Sequence, residues 1–289
     1  MNRAFFQPGT VSEALECRRN HKGSTLLAGG TDLIASIYKN KEPEESIIDL
    51  SKIEELKEIQ IQDDEIKIGA MVNFTGMEDS QTLNEKAKVL CRAARSVGSP
   101  QIRNRGTIGG NICNAGPAAD LVPALVCLEA KVELQSMYAG GNIQKRLVAL
   151  EDFITDKNQT LLEDSEILTN IIFKVPPDGV KSGFEKIGRR NALAVARING
   201  ACLLWMDNNI VSKINIVIGS VTSRPERYST VEDYLKGKKL DYKVLKEAGI
   251  LASNHVLKQT GGRSSSTYKL PVISRFTASL IENTIIKGG

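Results

Sequence analysis

The 289-residue sequence predicts an α+β fold in two parts. Three features carry that expectation. Strand-like runs and helical repeats follow one another without the strict alternation of a doubly wound sheet. Paired glycines interrupt apolar runs at Gly29-Gly30 and Gly109-Gly110. Pro176-Pro177-Asp178-Gly179 is the strongest punctuation in the chain and divides residues 1–176 from 177–289. That length has room for two modest domains.

The elements follow in order. Thr10-Val11-Ser12-Glu13 has the form of a capping box, opening a helix toward His21 with Ala14, Leu15 and Cys17 facing inward. Leu26-Leu27-Ala28 reads as a short buried strand ending at Gly29-Gly30. Thr31-Asp32 then caps a helix carrying Leu33, Ile34, Ile37 and Tyr38. Ile47 to Leu50 is a further strand, so residues 1–58 form a small β–α–β unit with a glycine turn at its centre. In residues 59–176, Ile59/Ile61 and Ile66/Ile68 alternate with polar neighbours around Asp63-Asp64, which predicts a hairpin. Leu83, Ala87, Leu90, Cys91, Ala94 and Val97 fall at helical spacing. After the glycine-rich stretch 106–116, Pro117 suits the first turn of a helix with Leu121, Leu125 and Leu128 on one face. Val132, Leu134, Leu147 and Ile167 to Val175 read as strands. Beyond the prolines come strands Phe184–Ile187, Ala201–Met206 and Ile210–Ile218, with a turn at Asp207-Asn208-Asn209. Three helices finish the chain, the last from Pro271 with Val272, Ile273, Phe276, Leu280 and Ile281 inward.

Composition narrows the chemistry. The apolar share of 41% and charged share of 25% are those of an ordinary soluble globular protein. Against 38 basic residues stand 34 acidic ones, and the resulting +4 is spread along the chain, which makes no case for nucleic acid or an anionic membrane. Arg92, Arg95, Arg103 and Arg105 have no aromatic residues interleaved, so they read as a solvated face or a subunit contact. No run approaches the ~18 apolar residues of a membrane span, and Met1 to Pro8 lacks the apolar core of a secretory signal. Five cysteines at wide spacing, with no Cys-x-x-Cys, argue against disulfides, zinc or an iron–sulfur cluster in this chain and point to a reducing cytoplasm. Two histidines, both read as surface side chains, leave little for a catalytic triad or a metal centre. The expectation is therefore no catalytic side chain and no metal, with the chemistry carried by a bound cofactor.

The glycine segments Leu26–Leu33 and Thr107–Asn111 each set paired glycines beside a hydroxyl residue and an apolar run. Glycine permits positive φ and lets backbone approach a ligand, and successive amides in such a bend converge on an anion. Neither segment fits the dinucleotide-binding or P-loop glycine patterns. Spacing alone leaves open plain chain reversal or an anion or dinucleotide cradle.

The wording of the segments goes further. Leu27-Ala28-Gly29-Gly30-Thr31-Asp32-Leu33, and the stretch from Ser99 through Thr107-Ile108-Gly109-Gly110-Asn111 to Asp120, resemble the two FAD loops of the flavin subunits of molybdenum hydroxylases. That family includes the xanthine, carbon monoxide and nicotinate dehydrogenases. The segment Arg263 to Tyr268 is also similar to one near the end of these subunits. The resemblance implies a PCMH-type FAD-binding domain of two α/β subdomains plus a smaller C-terminal α+β domain. It implies that Leu27 to Leu33 and Thr107 to Asn111 hold the pyrophosphate and ribityl region. It also implies that Asp120 accepts a hydrogen bond from the cofactor, Leu168 packs near the flavin or adenine, and Lys186 lies near the isoalloxazine ring. As bare sequence, Asp120 is equally a first-turn acid favoured by a helix dipole. The partners implied are a molybdopterin-binding large subunit and a 2Fe-2S small subunit, with NAD+ or another molecule as electron acceptor. Relatives often carry an acidic residue where this chain has Arg189-Arg190-Asn191-Ala192, which leaves the acceptor open. The rival readings are a self-sufficient FAD oxidoreductase and a non-catalytic nucleotide-binding protein.

Overall fold

The computed structural model describes residues 4–40, 46–138, 140–188, 194–262 and 266–288. The chain opens with β1 (Ala4–Phe6), α1 (Val11–Asn20), β2 (Thr25–Leu27), α2 (Leu33–Asn40) and β3 (Ser46–Asp49). These strands form an all-parallel sheet in the order β1-β3-β2, so the expected β–α–β unit exists with an additional leading strand. Thr10 caps α1 by accepting from the Glu13 amide, while Glu13 reaches back to the Gly9 amide at 2.7 Å. The reciprocal bond of the capping box thus lands one residue early. Helix α1 buries Val11, Ala14, Leu15 and Arg18, the i, i+3, i+4, i+7 face, against Ile48, Leu50 and Ile53.

Helix α2 departs from expectation. Ile34 is 40% and Tyr38 82% exposed, so the residues predicted to anchor this helix largely face out. Their spacing is amphipathic, but no element of the described chain covers that face.

Next come β4 (Ile59–Gln62), β5 (Glu65–Gly69), α3 (Phe74–Asp79), α4 (Gln81–Lys86), α5 (Lys88–Ser96), α6 (Pro100–Arg105), α7 (Ile108–Asn114) and α8 (Leu121–Cys127). They are followed by β6 (Lys131–Met137), β7 (Ile143–Ala149), α9 (Leu150–Phe153), β8 (Ile154–Asp156), β9 (Gln159–Thr160) and β10 (Glu166–Lys174). An antiparallel sheet of order β4-β5-β10-β6-β7 packs its inner face on α3 to α5, α7 and α8. The hairpin turn at Asp63-Asp64 has φ of 50° and 62°, the two-residue geometry that suits twisted strands. The helix predicted over Leu83 to Val97 is two helices, because Ala87 leaves helical dihedrals (φ −145°, ψ 48°), although Leu83, Ala87 and Leu90 all stay buried. Pro117 precedes rather than opens α8, which begins at Leu121.

The third sheet is β11 (Lys181–Gly188), β12 (Ala196–Asp207) and β13 (Ile210–Gly219), antiparallel, with α10 (Ser229–Leu235), α11 (Tyr242–Thr260) and α12 (Ser266–Lys287). Asn208 and Asn209, at φ 48° and 66°, turn β12 into β13. Side chains alternate along this sheet. Ala201, Leu203 and Val217 join the core that contains α8, whereas Ile198, Cys202, Leu204, Ile216 and Ile218 pack against α10 to α12. The sheet is therefore buried on both faces and joins the two halves. Pro271 lies inside α12, which starts five residues before the proline that was expected to open it.

The arginines divide by role. Arg92 donates to the carbonyls of Ser182 (2.6 Å) and Lys287 (2.7 Å), tying α5 to the third sheet and the chain's end. Arg95 and Arg103 clamp Glu78 at 2.8 and 3.2 Å. Nor are the histidines plain surface residues. His255 is 15% exposed at its side chain, lies 3.0 Å from Glu226 and packs on the Tyr228 ring, and His21 stacks on Phe6.

A buried polar knot crosses the five-stranded sheet. Glu133 Oε1 accepts from Gln135 (2.9 Å), Thr169 (2.9 Å) and Asn170 (2.8 Å). Burial pushes the Glu133 carboxyl up, but these three donors and Lys67 outweigh it, so its pKa lies below the ordinary carboxylate range. A depressed carboxylate adds stability above its unfolded pKa and loses it as pH falls through the folded one. Glu133→Gln is expected to lower stability at pH 7 by about 1–2 kcal/mol. The gap to the parent should close on acidification toward pH 3, as read by denaturant melts across that range.

Candidate functional site

The site is built where the C-terminal end of β2 meets the start of α7. Leaving β2, the chain passes through Gly29, whose added Cβ would fall 1.9 Å from the Arg105 carbonyl oxygen, and Gly30, which adopts φ +73°. Only glycine suits both places. Helix α2 then begins, with the Ile34 amide on Gly30 O and the Ser36 amide on Asp32 O. The amides of Gly29, Gly30, Thr31, Asp32 and Leu33 donate no hydrogen bond among the described residues. Thr31 Oγ1 bonds the Asp32 carboxylate at 3.3 Å on the exposed side. This bend thus presents a run of unengaged donors.

The second segment differs. Thr107 to Asn111 is not an open turn but the capped first turn of α7, with Thr107 as N-cap. Its amides are already used: Ile108 on Val72 O (3.0 Å), Gly109 on Ala70 O (2.9 Å) and Gly110 on Thr107 Oγ1 (3.1 Å). What this segment offers is close approach. A Cβ on Gly109 would meet Ala70 Cβ at 2.7 Å, and one on Gly110 would stand 3.6 Å from Ala28 Cβ, so the two glycine segments lie side by side.

Below this junction lies a cavity of about 300 Å³. Leu26, Ala28 and Leu50 line it from the first sheet, Gly109, Gly110 and Cys113 from α7, and Leu162, Ile167 and Leu168 from around β10. The β10–β6 register slips between Leu168 and Asn170, a bulge that sets Leu168 at the cavity wall. Arg18 and Ser24 supply polar lining. Arg18 Nε, Ser24 Oγ and Asn111 Oδ1 are buried without a hydrogen-bond partner. Burial lowers the Arg18 pKa, and its Nη1 donates to the Ser24 carbonyl at 2.8 Å. Buried polar atoms of this kind cost about 1–3 kcal/mol each unless something bonds them. Free donors at the mouth, apolar walls and unmatched polar atoms inside fit a dinucleotide cofactor.

Asp120 and Lys186 do not line this cavity. They form an ion pair with each other at 2.5 Å, both largely buried. Lys186 also donates to Ser96 O at 2.9 Å, and Asn199 Nδ2 donates to Asp120 Oδ1 at 2.9 Å. Asn199 is fully buried and accepts from Ser220 Oγ at 3.2 Å, and a Cβ on Gly219 would strike it at 2.4 Å. A second hollow, of about 670 Å³, opens on the third sheet beside Ile187, Arg197, Ser220, Tyr268 and Lys269. The segment from Arg189 to Ala192, and Arg263 to Ser265 of the C-terminal segment, lie outside the described residues. Sequence reading passed over Arg18, Ser24 and Asn199. Arg18 did carry a signal: it occupies the i+7 position of α1's apolar face, where an arginine is out of place. Among the described residues no cluster of three His, Cys, Asp or Glu could hold a metal, and no helix is long and apolar enough to cross a membrane.

Two α/β units carrying an apolar recess beside a run of unengaged amides, closed by a mixed sheet-and-helix unit, define a flavoprotein component. Residues 1–176 match the FAD binding domain in molybdopterin dehydrogenase, and residues 183–284 match the CO dehydrogenase flavoprotein C-terminal domain. The nicotinate dehydrogenase FAD-subunit of Eubacterium barkeri is 32% identical over 92% of this chain and 90% of that protein. The xanthine dehydrogenase FAD-binding subunit of Escherichia coli O157:H7 is 27% identical over 99% and 97%. Among solved structures, the reconstituted CO dehydrogenase from Oligotropha carboxidovorans superposes with a TM-score of 0.89 at 26% identity, covering 98% of each chain. That from Hydrogenophaga pseudoflava, at 24% identity, shares the fold with a TM-score of 0.90 over 100% of this chain and 99% of its own. The chain belongs to the FAD-binding subunits of the molybdopterin dehydrogenases and is an oxidoreductase component.

Proposed function

We propose that this chain is the electron-transfer subunit of a three-component molybdenum hydroxylase in the cytoplasm. It stands between a 2Fe-2S small subunit, served in turn by a molybdopterin-binding large subunit, and NAD+ or another acceptor. Bound FAD supplies the chemistry, taking electrons singly and releasing them in pairs. The residues of this chain bind and orient it. The amides from Gly29 to Leu33 take the diphosphate, and Gly109, Gly110 and Asn111 let it pass close to the start of α7. Leu27 and Ala28 shape the approach, Leu168 packs on a ring, and Thr107 and Ile108 hold α7 in place. Asp120 and Lys186 fix the junction of the halves, 1–176 and 177–289. No side chain of this chain acts as acid or base. Substrate choice belongs to a partner.

The observation that carries this reading is the run of unengaged amides at the mouth of a cavity holding unmatched polar atoms. It is tested by purifying the protein with whatever accompanies it and measuring flavin, molybdenum and iron. The expected result is a yellow complex containing FAD and both metals. Substrate turnover by this chain alone would favour a self-sufficient oxidoreductase. A colourless chain that takes up no FAD would favour a nucleotide-binding protein without redox function.

A further inference from the structure

We infer that the groove between α11 and α12 is a contact surface for a second copy of this chain, joined about a two-fold axis across α12. The groove, of about 900 Å³, shares no residue with the cavity beneath the glycine segments. It leaves large apolar side chains to solvent, Tyr242 at 79% and Ile286 at 69% exposure, beside buried Leu245 and half-buried Ile285. An apolar centre within a charged rim is the make-up of a protein–protein contact rather than of a solvated face.

The rim decides what covers it. Asp241 and Lys246 stand on the α11 side, Arg275 and Glu282 on the α12 side, so the two signs balance. Among the described residues none of the four makes an ion pair. A balanced rim offers nothing to a polyanion or an anionic membrane, but it can match itself. The order of residues along α12 gives that match its register. Pro271, Arg275, Ala278, Ser279, Glu282 and Ile286 all line the groove, at the i, i+4, i+7, i+8, i+11 and i+15 places of one helical face. By class this face reads the same from either end: apolar, charged, small, small, charged, apolar, with the two charges opposite in sign. Two copies of α12 laid antiparallel about an axis between Ala278 and Ser279 set Arg275 opposite Glu282 of the second copy, and Glu282 opposite its Arg275. Pro271 meets Ile286 at each end. The small residues fall at the crossing, where they let the helices approach, and a contact of this symmetry closes as a dimer.

Sedimentation velocity of the full chain is expected to show a monomer–dimer equilibrium that weakens as salt is added. Arg275→Glu and Glu282→Arg each set two pairs of like charges across the axis, and each should raise the dimer dissociation constant about 100-fold. Both side chains are exposed, so circular dichroism of either variant should match the parent. An equal mixture of the two variants is the decisive arm. In the mixed dimer every acid again faces a base, so the mixture should associate about as tightly as the parent while neither variant does so alone. A parent that stays monomeric at every concentration would overturn the inference. So would a dimer that both variants retain, or a mixture that fails to associate. A monomeric parent whose Arg275→Glu change releases a co-purifying chain of different sequence would overturn it too, and give the groove to that chain.

Discussion

Gly29→Ala is expected to lose both flavin and about 3 kcal/mol of stability, whereas Gly110→Val loses the flavin and keeps the fold. The two glycines look interchangeable in the sequence but stand in different surroundings. A methyl group on Gly29 would lie 1.9 Å from the Arg105 carbonyl oxygen and 2.7 Å from its carbon, and backbone at that place belongs to the turn joining α6 to α7. The clash can be relieved only by parting the two segments that form the site. Gly110 meets nothing closer than Thr107 Oγ1 at 3.0 Å and Ala28 Cβ at 3.6 Å, so a side chain there grows over the cavity mouth rather than into backbone. Thermal melts and extracted flavin, measured on both variants, check the contrast. Gly109→Ala belongs with Gly29, since its Cβ would press on Ala70 at 2.7 Å. A Gly110→Val protein that retained a full complement of FAD would remove α7 from the site.

Much of this architecture was legible from local rules. The hairpin turns at Asp63-Asp64 and Asn208-Asn209 and the cap at Thr10 are decided by residues within four positions of one another. Elements whose surroundings come from distant segments read less well. The apolar spacing of α2 promised burial, yet Ile34 and Tyr38 are exposed, because amphipathicity records that a face wants cover without recording what covers it. Strand β1 was missed because three residues, Ala4 to Phe6, hold too little pattern, and only the ladder to Ser46–Ile48 makes them a strand. At the site, the wording of the glycine segments pointed to two loops as a cofactor cradle. It did not show that the Gly109 and Gly110 amides are consumed by Ala70 and Thr107, which lie in other structural contexts. Arg18 escaped notice for the opposite reason: its position was periodic, and its chemistry was not weighed against that periodicity.

Breaking the Asp120–Lys186 pair should have the largest effect of any single substitution outside the glycine segments, and the two ways of breaking it should respond oppositely to acid. Both side chains are largely buried at the seam where α8 meets β11, and Asn199 and the Ser96 carbonyl complete their bonds. Removing one partner of such a pair costs about 3–5 kcal/mol, because the other charge stays buried without its counterpart. Burial pushes the Asp120 carboxyl above the ordinary carboxylate range, and Lys186 and Asn199 only partly offset it. In Lys186→Met that offset is lost and the carboxyl rises further. A raised carboxyl disfavours folding above its pKa and ceases to do so as pH falls through it. The deficit of Lys186→Met relative to the parent should therefore shrink between pH 7 and pH 4. Asp120→Asn removes that carboxyl altogether, so its deficit should not shrink. The double variant Asp120→Asn/Lys186→Met, with no buried charge left, should regain most of the stability that either single change removes, and denaturant melts of the four proteins at the two pH values give the coupling directly. Parallel pH behaviour in the two single variants would mean that the seam is held by the apolar contacts of Ala201, Leu203 and Val217 with α8, and that the ion pair is incidental to it.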